Sequence, residues 1–483
     1  MPVPTARDPK ANSTLARRFR LGILAAAILS AAAPARAAHD TDVATAADPD
    51  RPIEVDLDVD YTHLRSDTLI TRENFQAVNP AQPNGAKSTV LVNELQHSQV
   101  DDQMAFRLAI GLYHDLELHF VLPYSFGDTQ NWDYATVNGT SVAATSTLTN
   151  NTINVSGCNG GLCGPVQSIL PKSFTSSPTS SASTKRGGFG DPTIGLAWAV
   201  LNEERDSRLR PDLFPPGHAL STWVLGFDYT LPLPGDLDDP SKQLAAINAS
   251  STGNAAASYT GSLLRKAHIF SPWTAWSIRY HVLNPYFSLR ATLPLAVSGS
   301  AYDNCSDPAL LADVATQNCG NAAWAGQTGY QPAFTGQFKL GSEFVLAEDV
   351  QEHRKIALDL NGVVTWISQA RDYSMVSDLL GKLTLEDEHV TTIGTFGIYG
   401  RAARWLHFRV SGSLGFDTPH FLTNEDIGKD LNGDGKITIS AGGPNKSLEQ
   451  NPLYDFRLDQ VGRRLHAEMS LIWGVSGTVS LNF

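Results

Sequence analysis

The chain has 483 residues, 42% hydrophobic and 18% charged, with 39 glycines, 27 prolines, 4 cysteines and a formal net charge of −13. That apolar fraction excludes a disordered chain, the glycine count excludes a collagen, and the shortage of apolar runs of about 20 residues excludes a helical membrane protein. The acidic balance argues against nucleic acid as a partner.

The one long apolar run, Leu21 to Ala33, follows Arg17, Arg18 and Arg20 and precedes the small residues of Pro34-Ala35-Arg36-Ala37-Ala38. This is the layout of a secretory signal, so residues 1–37 are expected to be cleaved on export. About 13 apolar residues are too few to span ~30 Å of hydrocarbon. Residues 38–51 are expected to form a periplasmic N-terminal tail, with a short plug folded back into the molecule as the alternative.

From residue 52 onward the apolar residues follow period two. Ile53, Val55, Leu57, Val59 and Tyr61 alternate with Glu54, Asp56, Asp58 and Asp60. Phe106, Leu108, Ile110 and Leu112 alternate with Arg107, Ala109 and Gly111. A tight turn at Tyr113-His114-Asp115 then leads into Leu116, Leu118, Phe120 and Leu122, opposite Glu117 and His119. Such alternation marks half-buried strands. Further strands are expected at about 188–201, 219–232, 259–279, 285–296, 332–346, 355–368, 389–401, 405–416 and 465–483.

Long and short connections alternate along the chain. The long ones fall at about 66–87, 127–186, 233–258, 297–330, 369–388 and 417–463, and the short turns near 114, 202–218, 280–284, 347–354 and 402–404. That is the plan of an all-β, antiparallel up-and-down barrel of the bacterial outer membrane, over residues 52–483, with long external loops and short periplasmic turns. About twelve strands result, with 88–113 as one long or bulged strand; fourteen is the alternative. Tyr61, Tyr124, Phe126, Trp198, Tyr280, Tyr286, Trp366, Trp405, Phe416 and Phe483 stand at strand ends, as interfacial girdles require. Outer-membrane lipid is the expected surrounding. The cysteines fall in two close pairs within long loops, Cys158 with Cys163 and Cys305 with Cys319, and read as two local disulfides of an oxidising compartment, with a C-x4-C metal site as the alternative.

If the apolar residues face lipid, their partners face the lumen. The expected lumen set is Glu54, Asp56, Asp58, Asp60, Glu117, Asp228, Glu343, Asp359 and Glu468 with Arg107, Arg290, Lys339, Arg401, Arg409 and Arg464, and His119, His407 and His466. A dry interior is excluded, because so many charges need water, cations or one another. The last loop carries Asp430-Leu431-Asn432-Gly433-Asp434-Gly435-Lys436-Ile437-Thr438. It follows the pattern of a calcium loop, with oxygen donors at Asp430, Asn432 and Asp434, the Lys436 carbonyl and the Thr438 hydroxyl. Position 12 is Ala441, so Asp426 or Glu449 has to supply the missing carboxylate. A structural Ca2+ there is the one cofactor expected; a solvated Asx/Gly turn is the alternative.

Three stretches resemble a known family. Phe106 to Asp128 (FRLAIGLYHDLELHFVLPYSFGD), Gly188-Phe189-Gly190-Asp191 and Tyr229 to Asp236 (YTLPLPGD) are similar to the outer-membrane barrels of the "MetA-pathway of phenol degradation" type. The resemblance covers about residues 100–240 and implies an outer-membrane transporter, in some members for aromatic compounds, with no catalytic residues to carry over. A last strand ending on Phe483 likewise resembles the C-terminal signature that the barrel assembly machinery recognises. The leading functional expectation is thus a non-enzymatic channel or transporter for small solutes. A closed surface-recognition barrel is the second, and a calcium-dependent lipid hydrolase the third, although no Ser-centred motif supports it.

Overall fold

The computed structural model describes residue 38 and residues 41–46, 53–78, 86–150, 169–170, 181–215, 218–234, 239–249, 256–297, 303–306, 318–349, 352, 354–438 and 448–483. The signal segment, Cys158, Cys163 and Ala441 lie outside the described residues.

Twelve long strands build the wall: β1 (Val55–Ala77), β2 (Lys87–Tyr113), β3 (Leu116–Tyr134), β4 (Thr193–Asn202), β5 (Leu220–Thr230), β6 (Ala267–Arg279), β7 (Leu283–Ala296), β8 (Thr335–Asp349), β9 (Arg354–Ile367), β10 (His389–Ala403), β11 (Leu406–Asp417) and β12 (Ser470–Asn482). Each pairs antiparallel with its chain neighbour. β12 returns to β1 from Asp56↔Asn482 to Asp67↔Leu471, so the sheet closes on itself and keeps no free edge. Phe483 completes the seam, exchanging backbone bonds with Val55 at 2.9 and 3.2 Å.

The outward face is apolar on strand after strand. Leu57, Phe106, Phe120, Leu196, Leu225, Leu289, Leu340, Leu360, Phe396, Phe408 and Trp473 are all exposed. An outer wall of this composition suits hydrocarbon, since a water-soluble protein seldom leaves so large an apolar area bare. Among the described residues no helix is long and apolar enough to cross a membrane.

Several element bounds differ from the sequence expectation. β2 is a single strand of 27 residues with register shifts against β3 near Gln103 and Gly111, as the parity of the connections required. β1 reaches Ala77 rather than ending near residue 65, because β2 and the short strand Leu465–Ala467 both pair with its upper half. That short strand is separated from β12 at Glu468-Met469. The strand expected at 188–201 is interrupted: Ala182–Phe189 pairs with the upper part of β3 and β4 with the lower part. Asp191 sits in the break, where its carboxylate accepts the N–H groups of Leu233 (2.8 Å) and Arg265 (2.9 Å). The strand expected from 259 is also split. Ala256–Gly261 pairs in parallel with Ala182–Phe189, and β6 starts only at Ala267.

At the end bearing the long connections, these segments fold over the mouth. Ile70, Leu95 and Trp132 from the tops of β1, β2 and β3 meet Leu148, Leu170, Ile247, Val376, Leu379, Leu422, Leu458 and Leu465 in one apolar core. Those residues come from the tops of β1–β3 and from the connections after β3, β5, β9 and β11, so the core reaches across the mouth as a cap. Polar bonds tie it together. Arg72, fully buried, donates to the carbonyls of Arg463 (2.9 Å), Thr147 (2.9 Å) and Arg457 (2.5 Å). Arg186 pairs with Asp378 at 2.6 Å, Arg464 with Glu73 at 2.9 Å and Arg371 with Glu425 at 2.5 Å. Cys305 and Cys319 form the expected disulfide, and the asparagine before each clips the stapled loop to a neighbour. Asn304 exchanges two 2.9 Å bonds with the Leu383 backbone, and Asn318 donates to the Gln450 carbonyl at 2.7 Å.

Buried in the cap, Asp459 accepts the N–H groups of Glu425 (3.1 Å) and Asp455 (2.8 Å). Burial pushes its carboxyl up to about 7, Lys382 opposing and Glu425 adding to the rise. A folded-state pKa above the unfolded value contributes stability that is complete below the unfolded value and is lost as pH rises through the folded one. The cap should therefore become more sensitive to protease between pH 5 and pH 8, and Asp459→Asn should flatten that dependence. An unchanged pH profile in the variant would show that Asp459 does not set it.

Candidate functional site: the charged lumen and its strap

Inward positions carry the charges, arranged as two arcs. On β1–β5 stand Glu54, Asp56, Asp58, Asp60, Glu117 and Asp228, with Arg107 and His119 among them; on β7–β11 stand Arg290, Lys339, Lys355, Arg401 and Arg409, with Glu343 and Asp359. The first arc is net acidic and the second net basic. In a ring of twelve their midpoints, β3 and β9, face each other.

On the acidic side the charges join into one chain. Arg107 bonds Asp58 at 2.9 Å and also pairs with Glu117. His119 spans from Glu117 (Nδ1, 3.0 Å) to Asp228 (Nε2, 3.0 Å). Asp228 also receives the Trp273 indole at 3.1 Å and pairs with Arg290, which closes the chain onto β7. The link from His119 to Asp228 passes over β4 at Gly195, where a Cβ would lie within 3.0 Å of both side chains. Gly226 beneath Trp273 and Gly341 beneath Tyr286 serve the same purpose for aromatic rings.

On the basic side, Tyr286 donates to Asp359 at 2.7 Å, Asn361 donates to it at 3.1 Å, and Arg409 pairs with it. Lys355 bonds Glu343 at 3.1 Å and lies over the Tyr399 ring, while Lys339 lies over Tyr286. Arg401 and His407 are register partners nearer the turns, with the His407 ring against Tyr399. Asp60 accepts from Thr478 at 2.5 Å across the seam. Glu468 and His466 stand higher, beside the cap, where Glu468 accepts from Thr71 at 3.0 Å; Arg464 is in the cap itself. Lys355, Trp273 and Tyr286 were not among the expected lumen residues. Tyr286, expected in the outward girdle, instead has the inward parity of Arg290, as Lys355 has that of Asp359, so alternation marked both positions and only their residue types masked it.

At the turn end, residues 41–46 lie against the inner wall. Ala46 N–H donates to the His114 carbonyl (2.7 Å), the Thr45 hydroxyl to Asp115 (3.0 Å), Ala44 N–H to Glu117 (2.7 Å) and Thr45 N–H to Glu54 (3.2 Å). Thr41 reaches Ser277 on β6 at 2.7 Å. The segment thus runs as a strap along the inner wall from the β1–β3 side, past β4 and β5, to β6. Val43 packs against Ala197, Ala199 and Val224, and Gly111 admits the strap, since a Cβ there would stand 2.5–2.9 Å from the Thr45 backbone.

The calcium-type sequence in the last loop forms a tight turn, with Gly433 and Gly435 at φ +78° and +77°. Asp430 accepts N–H groups of Gly433 (2.6 Å) and Gly435 (2.8 Å), and these bonds hold its carboxyl below the usual carboxylate range. Asn432 accepts from Asp434 N–H and Asp434 from Lys436 N–H, each at 2.8 Å. Glu449 stands beside the turn, bonded to Leu431 N–H (3.3 Å) and Thr438 N–H (2.8 Å).

No family model and no curated protein matches the chain. Among solved structures it is similar to an outer-membrane channel from Pseudomonas putida F1, at 10% identity and a TM-score of 0.37 over 88% of this chain and 95% of that one. It is also similar to a FadL homologue from Pseudomonas aeruginosa, at 12% identity and a TM-score of 0.30 over 89% and 90%. At these values neither likeness bears on what the chain does.

Substituting Gly195 by valine should force His119 and Asp228 apart and strand a buried charge, a change that costs about 3–5 kcal/mol. Gly362, whose Cβ would meet nothing within 4 Å, is the control. The temperature at which the folded barrel loses its compact migration on gels should fall for Gly195→Val and hold for Gly362→Val. Equal temperatures would show that the His119–Asp228 link does not support the wall.

Proposed function

We propose that the protein is an outer-membrane channel for small solutes, with its turns in the periplasm and its cap outside. The observation that carries this reading is the lumen, where an acidic arc faces a basic one. A barrel serving only as an anchor has no use for these charges, each of which costs several kcal/mol to desolvate. Opposed arcs of charge set a transverse field that orders water and sorts solutes by charge. The family resemblance adds aromatic compounds as a solute class. The apolar belt fits outer-membrane lipid, and an outward Phe483 at the end of the last strand fits the signal read by the barrel assembly machinery.

The strap is the gate in this reading. Planar-bilayer recordings should show low conductance for the mature chain and a several-fold higher conductance once residues 38–51 are deleted. Silence from both forms would favour the second reading, a surface-recognition barrel with a closed lumen. The cap supports that second reading, because an apolar core joins the long connections into one rigid outer surface.

We also propose that the last loop binds Ca2+ through Asp430, Asn432, Asp434, the Lys436 carbonyl and Glu449, with Thr438 at its edge. Oxygen donors on a glycine-bearing turn are the set this hard cation takes. Calorimetric titration should give a Kd on the order of 10⁻⁴–10⁻³ M, the range of extracellular modules. The doubly substituted Asp430→Ala/Asp434→Ala protein should give no such heat, and identical heats from both proteins would rule the site out.

A further inference from the structure

A side-chain cluster at the loop end is used neither by the lumen nor by the calcium-type loop. Glu386 closes the short strand Thr384–Glu386, His389 opens β10, and His420 opens the two-residue strand His420–Phe421 beyond β11. Backbone bonds clamp these three places together. Asp387 N–H donates to the Phe421 carbonyl and Thr418 N–H to the Val390 carbonyl, each at 2.9 Å, and the Thr418 hydroxyl accepts from Val390 N–H at 2.9 Å. As a result, one nitrogen from each imidazole and one Glu386 oxygen lie within 4.8 Å of one another.

The surroundings orient both rings as a metal site requires. His420 Nδ1 is 2.8 Å from the Thr418 carbonyl, and His389 Nδ1 is 3.2 Å from the Asp387 carbonyl. A carbonyl can only accept, so each Nδ1 carries a proton and each Nε2 is the nitrogen left to face the cluster. His420 Nε2 points at Glu386 Oε1, 2.7 Å away, and donates a proton to it; a metal ion takes the place of that proton. Asp387 is engaged elsewhere, with its carboxylate accepting from Gln369 (3.1 Å) and Asn424 (3.0 Å), so Glu386 is the carboxylate left for the cluster.

We infer that Glu386, His389 and His420 form a binding site for one borderline divalent transition-metal ion, of which Zn2+ is the type. Two imidazoles and a carboxylate select such an ion over Ca2+ or Mg2+, which take oxygen alone, and they leave a fourth position for water or a solute group. The ion enters between Glu386 and His420 and draws the ligand atoms to about 2.0–2.2 Å from itself. The two rings now stack with centroids 4.0 Å apart and 12° between planes, so the half-buried His389 ring rotates out of the stack to converge while the buried His420 holds still. Once bound, the metal staples the loop after β9 to the rims of β10 and β11 and stiffens that side of the cap.

The test is calorimetric titration of the refolded, detergent-solubilised full barrel with ZnCl2 in excess CaCl2, beside the visible spectrum of the Co2+-loaded protein. Wild type should take up one Zn2+ and give the ligand-field bands of a nitrogen/oxygen site. His389→Ala and Glu386→Gln should weaken Zn2+ binding by at least about 10-fold and abolish the cobalt bands. Compact migration on gels checks that each variant has folded, and half-buried His389 is the position least able to disturb the fold. Unchanged zinc affinity and cobalt bands in a folded His389→Ala protein, or no uptake by wild type, would overturn the inference and leave a stacked histidine pair braced by a carboxylate.

Discussion

Closure of the sheet through the β1–β12 seam is the constraint from which the rest of the structure follows. A closed wall satisfies every backbone group within itself and leaves two environments, one outside and one inside. Period-two geometry then assigns each residue to one of them, with no third choice. Charges assigned inward must find partners across or around the lumen. That is why Arg107, Glu117, His119 and Asp228 form a chain rather than isolated groups. The wall yields room for that chain by giving up side chains at Gly195, Gly226 and Gly341, so part of its glycine content is the negative image of its polar network.

The two ends of the barrel carry inner structure of very different strength. Five leucines in the cap core (Leu148, Leu379, Leu422, Leu458 and Leu465) are almost wholly buried, and each contributes about 1.5–3 kcal/mol, so the cap stays folded. The strap depends on a handful of hydrogen bonds worth about 1 kcal/mol each and on Val43. Ordering each strap residue costs about 1–2 kcal/mol, which nearly cancels that gain. The strap is accordingly the more weakly held of the two ends, and the cap the more strongly held.

Much of this architecture was legible in the sequence because alternation is a strict signal wherever one face meets lipid. Strands such as Phe106 to Leu112 and Leu406 to Leu414 carry it without interruption. It fails above the apolar belt, where cap and wall bury both faces. In the upper half of β1, Thr68, Ile70, Thr71, Arg72 and Glu73 are all buried, so the segment looks like a polar loop although it is strand. The parallel pairing of Ala256–Gly261 with Ala182–Phe189 leaves no mark in either segment, because long-range register inside a cap is chosen by tertiary contacts. Glu386, His389 and His420 escaped notice for a related reason: the spacing between the histidines matches no ligand motif, and only the clamp between Asp387 and Phe421 brings them together.

The charges also explain how an acidic chain can keep a lumen of mixed sign. On β7–β11 Asp359 pairs with Arg409 and Glu343 with Lys355, and on β1–β5 Asp58 and Glu117 both pair with Arg107 and Glu117 also with His119. Were acids and bases equal in number along each arc, the lumen would be electrically blank and the buried pairs would add little stability over apolar packing. Leaving the two arcs unequal preserves a field across the barrel. Arg290 reaches over to Asp228 at one boundary between the arcs, and at the other the neutral strand β12 stands between them, with Thr478 bonded to Asp60. The imbalance is therefore distributed over the wall as a gradient, a form in which it acts on whatever occupies the lumen and costs the fold least.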